Sequence, residues 1–137
     1  MTTREATIPG PEHPITIEDT GGRVLARVGA DVVADTNRAL TLREAGYPPI
    51  QYIPLADVDQ AILIHSDSRT YCPYKGDASY YSITLPEGHG SEERLTDVAW
   101  SYCEPYPYVA RIADHIAFYT DRVEVVVDGT ASSSGTG

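Results

Sequence analysis

One short run of this sequence holds two residue types that do chemistry. In Tyr71-Cys72-Pro73-Tyr74-Lys75-Gly76 a thiol stands three residues before an amine. A cysteine becomes a nucleophile when a neighbouring cation or base favours its thiolate. Lys75, or His65 or His115 from across a sheet, could supply that neighbour. A lysine can grip an anion or a carbonyl, or form a Schiff base when desolvated. Lys75 is the one lysine of the chain, against nine arginines. Coding in a GC-rich genome also favours arginine, so the count alone assigns nothing. Pro73 and Gly76, however, fix the backbone around Lys75 and so set its direction. Lys75 and Cys72 are therefore the candidate catalytic residues. The plain alternatives are a buried thiol before a strained turn, and a lysine that packs its stem on a tyrosine and pairs with an acid.

Aromatic residues give the second signal. Ten tyrosines and one tryptophan stand against a single phenylalanine. A core that needed only bulk would use Phe and Leu, because a buried phenol must find a hydrogen-bond partner. Tyr74, Tyr80, Trp100, Tyr102 and Tyr119 fall in one half of the chain. Together with His115 they are the candidate lining of a polar-aromatic groove for a small organic ligand, with Lys75 at its edge. A cation over a ring face there gains ~0.5–2 kcal/mol. Structural tyrosines bonded to backbone would give the same composition.

Other chemistries find less to work with. The chain has two cysteines and no CxxC pair, and the spacings of Cys72, Cys103, His65 and His115 match no compact ligand pattern. No metal and no cofactor are expected. Asp57-Val58-Asp59 has the form of a magnesium-holding Asp-x-Asp, but Gly46 before it is followed by Tyr47 where a nucleotidyltransferase needs serine. Twenty acids against ten bases give a formal charge of −10. Phosphate backbones are bound through basic surfaces, and the arginines here are scattered, so neither nucleic acid nor an acidic membrane is an expected partner. The expected partner is a small molecule; a homodimer stays open. The absence of an apolar segment behind Met1-Thr2-Thr3-Arg4-Glu5 and the scarcity of cysteine point to the cytoplasm.

These residues must be held by short, alternating segments. Residues 1–13 read as a flexible leader, 14–128 as a single β domain and 129–137 as a disordered Gly/Ser/Thr tail. Ile15–Glu18, Arg23–Val28, Val32–Asp35, Ala39–Glu44 and Gln51–Ile53 read as strands, the second and third forming a hairpin. Leu55–Leu63 is the best helical window, with Asp57 and Asp59 near its start, and Val109–Asp114 can form one further helical turn. Ala78–Leu85 and Thr96–Tyr102 follow as strands, with Trp100 and Tyr102 on one face of the latter. Pro86–Arg94 reads as a polar loop. His115–Tyr119 and Val123–Val127 are expected to pair as a hairpin across Asp121-Arg122. Many short strands at this spacing predict an all-β fold.

One series of residues is more specific than any of these patterns. It runs His13-Pro14-Ile15, Tyr52-Ile53-Pro54, Asp57-Val58, Cys72-Pro73-Tyr74-Lys75-Gly76, Ala78-Ser79-Tyr80, Ala99-Trp100-Ser101-Tyr102, Pro105 and Ala117-Phe118-Tyr119. In these the chain resembles the bacterial family catalogued as domain of unknown function 427. The resemblance implies a β-tent-like arrangement, in which two antiparallel sheets meet at an angle, here with one short helix. Most members of the β-tent group hold zinc through two CxxC pairs, which this chain lacks. The family also carries an older nucleotidyltransferase label. The expected function is the binding, with or without transformation, of a small organic ligand in a Tyr/Trp-lined groove. The alternatives are a protein-protein interaction module without catalysis and, further off, nucleotidyl transfer.

Overall fold

Alternation of apolar and polar residues becomes strand pairing in the computed structural model, which describes residues 9–29, 31–85 and 93–127. Among the described residues there are ten strands: β1 (Ile15–Asp19), β2 (Val24–Val28), β3 (Asp31–Thr36), β4 (Leu40–Glu44), β5 (Ile50–Pro54), β6 (Leu63–Cys72), β7 (Gly76–Leu85), β8 (Glu93–Ser101), β9 (His115–Phe118) and β10 (Glu124–Val127). The protein is all-β. A seven-stranded antiparallel sheet runs β1-β4-β5-β9-β8-β7-β6, and a three-stranded one runs β10-β2-β3. The expected leader up to residue 8, the loop at 86–92 and the tail lie outside the described residues.

The central strands of the larger sheet are buried on both faces. Ile53, Ile83, Leu85, Ala99, Ile116 and Phe118 point one way and meet Val24, Ala26 and Val33 of the smaller sheet. Residues next to them in the chain point the other way. Tyr52, Tyr80, Trp100 and Ala117 join Leu40 and Leu42, and Val109 and Ile112 close that layer from a 3-10 turn at Pro107–Ile112. Each fully buried Val, Leu or Ile contributes about 1.5–3 kcal/mol.

Three expectations need correction. The helical window is two separate 3-10 turns, Leu55–Asp57 and Gln60–Ile62, not one helix. Between them the backbone is extended, because Asp59 N–H donates to the Val33 carbonyl at 2.9 Å and Val58 bridges Ala34. Joining β3 satisfies these groups better than continuing a costly short helix. Second, β9 and β10 do not pair. The Val123 N–H donates to the Tyr119 carbonyl at 2.9 Å, a helical turn that carries the chain out of the larger sheet. β9 then lies between β5 and β8, while β10 pairs with β2. Third, the segment read as loop up to Arg94 yields its last two residues to β8.

Candidate ligand groove

The Cys72–Gly76 turn is built by the longest hairpin of the fold. β6 and β7 pair down to Cys72 opposite Gly76, leaving Pro73, Tyr74 and Lys75 as the loop. Gly76 has φ +112°, a conformation that side-chain-bearing residues rarely adopt. The Lys75 N–H donates to the Cys72 carbonyl at 3.2 Å, and the Lys75 carbonyl accepts from the Tyr106 N–H at 3.1 Å. Held from both sides, the lysine turns inward and is only 7% exposed. Its Nζ donates to Glu44 Oε1 at 2.6 Å.

Glu44 arrives there by register. It follows Leu40 and Leu42 on the same face of β4, so its carboxylate enters the layer the leucines occupy. Its other oxygen, Oε2, accepts from His13 Nε2 at 2.7 Å. The His13 ring in turn stacks on Tyr74, with centroids 4.1 Å apart and planes within 7°. Burial pushes the Glu44 carboxyl up, but the hydrogen bonds and charges of Lys75 and His13 more than offset it and hold it below its ordinary value. Ala45 follows in the left-handed region at φ 45°, with its N–H on the Pro14 carbonyl at 2.8 Å. That bend swings Tyr47 out of the sheet, where it is 64% exposed.

Trp100 forms the opposite wall. Its Nε1 donates to the Tyr52 hydroxyl at 3.1 Å, and the Tyr119 ring lies against it at 4.6 Å. Burial raises the phenols of Tyr52 and Tyr102 far above their ordinary value. Burial, together with the neighbouring Tyr80 hydroxyl, pushes Tyr119 up to about 12. All three stay neutral near pH 7 and act as hydrogen-bonding groups only.

Between these walls lies a groove of about 610 Å³. Glu44 and Tyr47 line it from the end of β4. Pro48 and Pro49 follow from the approach to β5, and Ile50 and Gln51 from its start. Trp100 comes from β8, Phe118, Tyr119 and Thr120 from the end of β9, and Val125 and Val127 from β10. Gln51 is held in a network with Thr20 and Thr41, its Oε1 accepting from Thr20 Oγ1 at 2.7 Å and its Nε2 donating to Thr41 Oγ1 at 3.1 Å.

Of the residues singled out in the sequence, Trp100 and Tyr119 line the groove. Lys75 stands behind Glu44. Tyr80, Tyr102 and Cys72 belong to the packed layer beneath, where Tyr80 shares a 2.9 Å hydrogen bond with Thr70. Tyr74 serves as the platform for His13. His115 is not among the lining residues; its Nδ1 donates to the Ala113 carbonyl at 2.8 Å. Glu44, Tyr47, Gln51, Tyr52 and His13 were not singled out as site residues, although His13 and Tyr52 belong to the series quoted above. A usable signal was present for Glu44: an acid in phase with buried leucines must find a cation, and the chain has one lysine.

The other candidate chemistries are occupied by structural roles. Asp57 accepts from Thr36 Oγ1 at 2.6 Å and from Arg38 Nη2 at 3.0 Å, and Asp59 caps the Ala61 N–H at 3.1 Å. Cys72 and Cys103 are both free thiols. Among the described residues no three His, Cys, Asp or Glu side chains are grouped to hold a metal ion, and no helix is long and apolar enough to cross a membrane.

No curated protein matches the chain. A family model does, over residues 16–129, from β1 past β10 and so across nearly every strand described above; its description reads domain of unknown function (DUF427). Since that match spans most of the chain, including the strands that line the groove, the protein belongs to the DUF427 family.

Proposed function

We propose that the protein is a ligand-binding domain that holds a small organic molecule in the groove between Trp100, Tyr119 and Tyr47. The observation that carries this reading is the lining itself. Aromatic rings, prolines and valines surround a concavity of about 610 Å³, with the hydrogen-bonded Glu44 and Gln51 among them. Small-molecule sites have that composition and size. A protein-docking face would instead be expected to be broad and flat. In this reading Lys75 holds Glu44 in place and compensates its charge, and Cys72 packs the layer below. A covalent step through either would first require the pair or the layer to open. Nucleotidyl transfer, which the family's older label suggests, has less support. The Asp57 carboxylate is engaged by Thr36 and Arg38, and among the described residues no basic side chain lines the groove. Two free thiols and a formal charge of −10 fit a reduced cytoplasmic setting.

Trp100 is the only tryptophan, so its indole N–H gives one reporter resonance at the groove wall. Titration of the full chain with a library of aromatic fragments should shift that resonance saturably. Tyr119→Ala, which removes a ring from the wall, should weaken the same fragments severalfold while the fold persists. A library that leaves the resonance unmoved would remove the reading.

A further inference from the structure

The charge of the groove says which ligands it can take. Among the described residues twelve line it; one is acidic, none is basic, and the rest are aromatic, aliphatic, proline, amide or hydroxyl. The one carboxylate does not act as a free charge. Lys75 Nζ holds Glu44 Oε1 at 2.6 Å, with side-chain exposures of only 9% and 13%, and the His13 ring holds the other oxygen. Trp100 could have offered an N–H, but that proton is committed to the Tyr52 hydroxyl at 3.1 Å. The Gln51 amide is tied to Thr20 and Thr41.

We infer that the groove selects uncharged ligands: a planar apolar body that carries a hydrogen-bond donor, such as a hydroxyl, for the remaining lone pairs of Glu44. The inference rests on the groove being a ligand site and adds the chemical class. An anion entering it would meet a carboxylate and no cation, since Lys75 is turned away and paired. A cation would lose water without finding an unpaired negative charge, because Lys75 already neutralises Glu44. Ring faces return only part of that cost. An uncharged body loses little on entry and gains from the apolar walls. A donor at its end completes a carboxylate that has room for about four hydrogen bonds and makes two inside the protein.

Three probes of one shape test this: benzyl alcohol, benzylammonium and phenylacetate, titrated at pH 7 and constant ionic strength against the full chain, with the Trp100 indole N–H resonance as the readout. The expected result is a dissociation constant for benzyl alcohol at least about threefold below those of both charged probes. A charged probe that binds as tightly or more tightly overturns the charge selection and leaves the groove reading standing. If none of the three shifts the resonance, the groove reading falls and the selection with it. Variants then locate the compensating charge. Glu44→Gln leaves Lys75 unpaired and should move the preference toward phenylacetate. Lys75→Met combined with Glu44→Gln is again uncharged and should restore the preference for benzyl alcohol. A preference that stays the same in Glu44→Gln would show that the pair does not set it.

Discussion

Tyr52 and Ile53 are neighbours in β5, and both are fully buried, yet they enter layers of different chemistry. Ile53 faces the smaller sheet, in a layer of aliphatic residues with Ile83, Val98, Ile116 and Val123. Tyr52 faces a layer where phenols, an indole and, at its edge, a lysine-glutamate pair are packed together. The same backbone hydrogen bonds carry both. The first layer is held by the amount of surface removed from water, and tolerates changes that keep volume. The second depends on each polar group keeping its partner, because an orphaned buried group costs far more than a satisfied one returns. The groove opens beside the second layer, where polar groups are already fixed by their partners.

Substitutions can break this contrast. Ile116→Ala, wholly inside the aliphatic layer, should lower stability by about 2–5 kcal/mol in urea unfolding and leave groove ligands in the folded fraction unaffected. Lys75→Met should cost about 3 kcal/mol, since it strands a mostly buried carboxylate. Adding Glu44→Gln to it should recover much of the loss, measured as a double-mutant cycle by the same unfolding. No second substitution that merely removes a partner would rescue Ile116→Ala. If the Lys75 and Glu44 changes simply add, the two layers do not differ in kind. Tyr52→Phe keeps the ring and removes the acceptor for Trp100. It should cost about 1 kcal/mol and move the indole N–H resonance, with most of the volume-dependent packing intact.

The smallest effect concerns pH. The Glu44 carboxyl titrates below its ordinary 4.5 when folded, so its contribution is complete above that pH and is lost as pH falls through the folded value. Asp35, Asp57 and Asp97 are lowered too, by Arg23, Thr36 and Ser66 hydrogen bonds respectively, and add to the same acid limb. The Glu44 share is therefore read as a difference. Stability of Glu44→Gln should fall less steeply than that of the parent as pH drops below 4.5. Parallel acid limbs would mean that the pair contributes nothing on net.

The fold class was legible because strands that face a core on one side must alternate, and β1 and β4 do. β6 was not, since it is an edge strand, largely exposed from Asp67 to Tyr71, with no apolar phase to announce it. The separation of β9 from β10 was hidden because two strands joined by a short turn look alike whether they pair or part; only the Tyr119–Val123 hydrogen bond decides. At the site, Trp100 and Tyr119 were legible as aromatic residues in a half of the chain rich in them. Lys75 was legible from its turn, though not the depth of its burial. Tyr47 and Gln51 reach the groove only because Ala45 bends left-handedly and β10 crosses over to β2, and neither event leaves a mark in local composition.

That crossing has a consequence for how the domain is made. Arg27 on β2 and Glu124 on β10 are hydrogen-bonded across 97 residues of chain, so the smaller sheet closes through one of the most distant contacts in the molecule. Contacts of this range slow folding, since the loop they close must be ordered first. The β2–β3 hairpin can form early, but the layer beneath it stays uncovered on one side until β10 arrives. Val125 and Val127, two of the groove's walls, belong to that late strand. The lining of the groove is therefore complete only once β10 has paired with β2, after every other described strand has been made.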